Sequence, residues 1–190
     1  MEIYLVRHTR VDVAKGICYG KSDVGLATSF EQDIQQVKQK ISSELSHYLV
    51  HSSPLQRCKL LAEALNESDE SILFDARWQE MDFGDWELKL WNDIPTDESH
   101  EWMQDFVNMP APNGESFIRM AARVQSVWED LLRQDSEKQV VVCHGGVVRL
   151  ILCLVLDLDL KNAFKIEIDY GSITKISYSP HWTKVQYVNR

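Results

Sequence analysis

The chain has 190 residues, an apolar share of 44% and a net charge of −9, proportions that fit one globular domain with a sizeable core and exclude a disordered or fibrous chain. There is no run of Lys or Arg, which argues against general nucleic-acid binding; a local pocket of Arg and His can still oppose the net field and hold a small anion. The most apolar stretch, residues 147–156, contains Arg149 and is too short to span a bilayer, so no membrane partner is expected.

Residues 3–6 form a short apolar run of strand-formers, the kind buried on both faces in a parallel sheet. The run ends abruptly in Arg7-His8-Thr9, at the strand end where open α/β sheets place their ligands. The loop that follows, residues 10–28, carries Gly16, Gly20 and Gly25 and is long for a simple strand-to-helix connection. Phe30, Ile34, Val37, Ile41 and Leu45 then recur at helical spacing and predict an amphipathic helix over 29–46. A second strand fits 48–51 and empties into Ser52-Ser53-Pro54, and the helix that follows brings Arg57 close to its amino terminus, where anions bind.

A third short strand fits 72–74, followed by an aromatic, acidic loop with Trp78, Glu80, Asp82, Asp85, Trp86 and Glu87. Residues 88–109 have weak helical periodicity and read as a helical excursion over the site. Phe117, Met120, Val124, Trp128 and Leu131 define a further helix, and the continuous apolar strand 140–143 ends in His144-Gly145-Gly146 before the helix 147–156. Two last strands are expected near 172–178 and 185–188. Strands alternating with helices predict an α/β domain over 1–190: three layers, with a mostly parallel central sheet flanked by helices.

Two strands that each end in a histidine, and a third that leads to Arg57, would bring two imidazoles and two guanidiniums to one sheet edge. Cations beside the histidines disfavour a metal, whereas forked guanidiniums favour a phosphate. A histidine among phosphate-binding groups can attack phosphorus, with Arg7, Arg57 and the second histidine neutralising the equatorial oxygens. An alkoxide leaving group needs a proton, and Glu80 leads Asp82, Asp85 and Glu87 for that task, in a loop whose aromatic residues could raise its pKa by desolvation. A rival is spelled by Cys143 and Arg149, six residues apart between a strand and a helix: a loop that could cradle phosphate while Cys143 attacks. The opposite reading is a binding module that holds phosphate ligands without catalysis. The four cysteines show no CxxC pairing, and the sequence opens directly on a strand without a secretory signal; reduced thiols in a cytoplasmic protein are the expectation.

Five segments in this order resemble those of the histidine phosphatase superfamily, whose fold is shared with the cofactor-dependent phosphoglycerate mutases: LVRHT at 5–9, SSPLQRC at 52–58, EMDFGDWE at 80–87, NGESF at 113–117 and VVCHGG at 141–146. The resemblance implies His8 as the phosphorylated nucleophile, Arg7, Arg57 and His144 around the phosphate, with His144 also catalytic, and Glu80 as proton donor. It implies that no metal and no organic cofactor is needed. Within the superfamily the loop GICYGKSDVGLA and the stretch EMDFGDWE look most like the alpha-ribazole phosphatases, which implies hydrolysis of alpha-ribazole 5'-phosphate in assembly of the cobalamin nucleotide loop. The alternative is a phosphatase or a mutase-like enzyme acting on another small phosphomonoester, a sugar phosphate or a nucleotide. The chain looks shorter than the mutases, which carry extra segments over the site, and hydrolysis needs water at phospho-His8; both favour a phosphatase. Tyr19, Gly20, Lys21, Trp86 and Glu115 are the candidate substrate contacts, Trp86 as the one tryptophan to meet an aromatic base. A monomer or homodimer is expected, with a small phosphomonoester as its only partner. The chain departs from the family pattern at Thr9 and Leu88, where Gly is common, and at Ala14, where Asn is.

Overall fold

A computed structural model describes residues 1–41, 47–66 and 71–190. Its centre is a six-stranded sheet in the order β3-β2-β4-β1-β5-β6. The strands are β1 (Glu2–Arg7), β2 (Leu49–Ser52), β3 (Leu73–Phe74), β4 (Lys138–Cys143), β5 (Ile173–Ser179) and β6 (Trp182–Tyr187). The first four run parallel; β5 is antiparallel to β1, and β6 to β5. The helices are α1 (Phe30–Ile41), α2 (Gln56–Leu65), α3 (Thr96–Gln104), α4 (Phe117–Leu132) and α5 (Gly145–Val155). The layered, mostly parallel α/β architecture predicted above is the one observed.

The alternation of side chains along β1 explains the layering. Ile3 and Leu5 face a core shared with α4 and α5, while Tyr4 and Val6 face a smaller one shared with α1 and α2. In β4, Val141 and Cys143 join the first core and Val140 and Val142 the second. Residues 3–6 of β1 and 140–143 of β4 are therefore apolar without interruption, as a sheet covered on both faces requires. The helix predicted over 29–46 is seen through Ile41; Leu45 lies outside the described residues. The excursion at 88–109 resolves into a short 3-10 turn at Trp91–Asp93 and α3. It is tied to the first loop: Cys18 N–H donates to the Lys89 carbonyl and Leu88 N–H to the Cys18 carbonyl. Leu88 sits at a φ of 65°, a left-handed conformation that glycine adopts without strain. Among the described residues no helix is long and apolar enough to cross a membrane.

Candidate active site

The register of the parallel strands decides where the site forms. Arg7 pairs with Cys143 and Ser52 with Val142, so β1, β4 and β2 end abreast, and the next residues, His8, His144 and Ser53, leave the sheet together. The main chain locks them there: His8 N–H donates to the Cys143 carbonyl (2.9 Å) and Ser53 N–H to the Val142 carbonyl (3.0 Å). The two imidazoles meet edge to face with centroids 5.1 Å apart. His8 is 2% exposed, and His144 and Arg57 are fully buried.

His8 Nδ1 lies 2.8 Å from the carbonyl oxygen of Thr9, which can only accept. Nδ1 therefore carries the proton, and Nε2 keeps its lone pair. Burial, and then the guanidiniums of Arg57 and Arg7, hold this imidazole well below the ordinary histidine value. His144 is held down in the same direction, first by burial and then by Arg57, His8 and Arg7. Its Nε2 is 2.8 Å from Ser53 Oγ and 3.4 Å from Cys58 Sγ. The first histidine is thus a neutral, oriented imidazole with a free ring nitrogen, and the second a fixed polar neighbour.

Arg57 enters from the second position of α2 and is pinned by the first loop: Nη1 donates to the Ser22 carbonyl (2.8 Å) and Nη2 to the Gly20 carbonyl. Arg7 donates through Nη1 to the Ile168 carbonyl. Neither arginine forms an ion pair among the described residues. In each the Nε–H is buried and unpartnered. Unpaired buried donors are costly, and two of them on cations beside two neutral imidazoles make a receptor for an anion.

Glu80 closes the third side. Its Oε2 accepts from Gly146 N–H (3.0 Å) in the first turn of α5, and its Oε1 from Met81 N–H (3.0 Å). A side chain on Gly146 would overlap Glu80 Oε1, its ideal Cβ falling 2.2 Å from that atom, so the glycine makes room for the carboxylate. Arg123, which the sequence did not single out, donates to the carbonyls of Arg77, Gln79 and Glu80 and fixes this segment. Beside Glu80 lies a hollow of about 350 Å³ lined by Lys21, Arg77, Asp82, Glu115 and Arg123.

The structure brings His8, Arg7, Arg57, His144 and Glu80 together, and it corrects three of the candidate contacts. Trp86 is 2% exposed and packs with Trp91 and Trp102, its indole N–H donating to Glu98 Oε2 (3.1 Å); it offers no face to a substrate. The aromatic residues of its loop form that separate cluster, while Glu80 stands among backbone N–H groups. Gly20 is buried against the Met81 carbonyl, where an ideal Cβ would fall at 1.9 Å, so its role is close packing. Glu115 has both oxygens engaged, by Asp82 N–H and by the Arg123 guanidinium. Lys21 stands at the hollow's edge, 3.2 Å from Asp82. Tyr19 stacks toward Arg57 and hydrogen-bonds Tyr170, a residue no sequence signal pointed to. Cys143 is fully buried, and burial pushes its thiol well above the ordinary value, which argues against it as an attacking group. Among the described residues no three His, Cys, Asp or Glu side chains come together as a metal site.

Comparison with known proteins fits this geometry. Residues 3–190 match the family model described as histidine phosphatase superfamily (branch 1). A candidate phosphoserine phosphatase 2 of Hydrogenobacter thermophilus is 28% identical, the alignment covering 99% of this chain and 95% of that protein. The adenosylcobalamin/alpha-ribazole phosphatase of Salmonella typhimurium is 25% identical over 100% of this chain and 96% of its own length. Among solved structures, the alpha-ribazole phosphatase of Shigella flexneri superposes with a TM-score of 0.91 at 22% identity, covering 100% of this chain and 96% of that one.

Proposed function

This chain belongs to the histidine phosphatase superfamily, and on that premise we propose that it hydrolyses small phosphomonoesters through a phosphohistidine at His8, without a metal. The observation that carries the reading is the pair of buried, unpartnered Nε–H groups of Arg7 and Arg57 beside an imidazole whose Nε2 lone pair is free. The phosphoryl group sits among Arg7, Arg57 and His144. His8 Nε2 forms a bond to phosphorus as the ester P–O bond breaks, and the departing oxygen takes a proton from Glu80. Water then attacks phospho-His8, gives its proton to Glu80, and releases inorganic phosphate with His8 restored. The buried cations stabilise charge on the equatorial oxygens in both steps.

Two readings of the alcohol portion follow. Likeness to the alpha-ribazole phosphatases supports alpha-ribazole 5'-phosphate. A smaller hydrophilic ester, such as phosphoserine, is favoured by the burial of Trp86, by the charged lining of the hollow beside Glu80, and by the relative from Hydrogenobacter. The test compares wild type, His8→Ala and Cys143→Ser on alpha-ribazole 5'-phosphate, phosphoserine and an aryl phosphate, with chelator present. His8→Ala should lose at least about 10⁴-fold in kcat on every substrate, as removal of a nucleophile does, while Cys143→Ser stays active. A His8→Ala enzyme that still turns over refutes the mechanism; the ranking of kcat/KM decides between the two alcohols.

A further inference from the structure

His8, His144 and Arg57 are almost wholly shielded from solvent, and two tyrosine rings lie against this cluster. The ring of Tyr170, 40% exposed, lies 3.9 Å from Arg7 Cζ and has its centroid 5.5 Å from that of His8. The ring of Tyr19, from the first loop, lies 5.6 Å from Arg57 Cζ. Each ring thus covers one guanidinium of the anion receptor, and a hydrogen bond between the two hydroxyls joins the covers across 151 positions of sequence. Neither hydroxyl has another hydrogen-bond partner among the described residues. The bond joins two loop residues and holds no secondary structure together.

We propose that Tyr19 and Tyr170 set access to the phosphate pocket: their joined hydroxyls must part before a phosphoryl group can reach His8 and the guanidiniums. The proposal rests on the phosphatase reading only for the identity of what is admitted. A neutral hydrogen bond contributes about a fivefold bias toward the closed form. Removing either hydroxyl removes the whole of it, because both act through one bond.

The test is the rate at which diethyl pyrocarbonate acylates His8, followed by peptide mass, in wild type, Tyr19→Phe, Tyr170→Phe and the double variant. Phenylalanine keeps each ring in place and deletes only the bond. Each single variant should label about fivefold faster than wild type, and the double no faster than either single. Labelling of His51, buried on β2 away from the mouth, should stay constant. Unchanged labelling of His8, single effects that multiply in the double variant, or a parallel rise at His51 would overturn the gate. Hydrolysis of an aryl phosphate, run alongside, separates the two ideas: faster labelling without turnover leaves the gate and removes the phosphatase, and turnover with unchanged labelling does the reverse.

Discussion

One hydrogen bond, from His8 Nδ1 to its neighbour's carbonyl, selects the nitrogen that faces a ligand. In the proposed mechanism Glu80 is the complementary residue, and its contribution would depend on the leaving group. Glu80→Gln should lower kcat/KM about 10²–10⁴-fold on an alkyl phosphate, whose alkoxide cannot leave unprotonated, and far less on an aryl phosphate, whose phenolate can. Equal losses on the two substrates would show that Glu80 only shapes the site. His8, Arg7, Arg57, His144 and Glu80 were legible as candidates because each stands where a strand-forming run gives way to polar residues, or in a motif of fixed order. Tyr170 was not, since a tyrosine in an ordinary loop carries no mark of the guanidinium under it. Trp86 was misread because its indole partner, Glu98, lies in a stretch of weak periodicity where the sequence could not show the burial.

At the scale of elements, α5 does two tasks with one turn. Its apolar body packs into the core with β1 and α4, and the N–H of Gly146 in its first turn meets the Glu80 carboxylate. Gly146→Ala separates these tasks. The overlap falls on the end of a flexible side chain, so the helix persists and the carboxylate is driven aside. The expected outcome is a melting temperature within a few degrees of wild type and a loss of about 10²-fold or more on an alkyl phosphate, as for Glu80→Gln. A variant that unfolds would place the glycine's role in packing instead. The central strands were readable because a two-faced strand is apolar throughout. The sheet's edges were less so: β6 begins at Trp182, three residues before the predicted start, because the exposed, polar Thr183 and Lys184 interrupt the apolar run.

For the whole molecule, burial makes stability depend on acid. His8, His144 and His51 are all held below the ordinary histidine value, chiefly by burial. Below about pH 6.5 the unfolded chain takes up protons that the native one refuses, so stability falls with pH by up to about 1.4 kcal/mol per unit for each group, and is fully present above it. The melting temperature should drop between pH 7.5 and 5.5, and less steeply in His8→Gln; a flat profile would contradict the buried neutral state. The sheet order has a consequence for biosynthesis. The strand that presents His8 pairs with β4 and β5, both made long after it, Glu2 aligning with Lys138 and with Ser177. A ribosome needs on the order of ten seconds to cover that interval. Throughout it a doubly apolar strand waits without neighbours, and such long-range pairing is slow even afterwards. A ribosome stalled in that interval would therefore release a fragment whose central strand has both apolar faces bare.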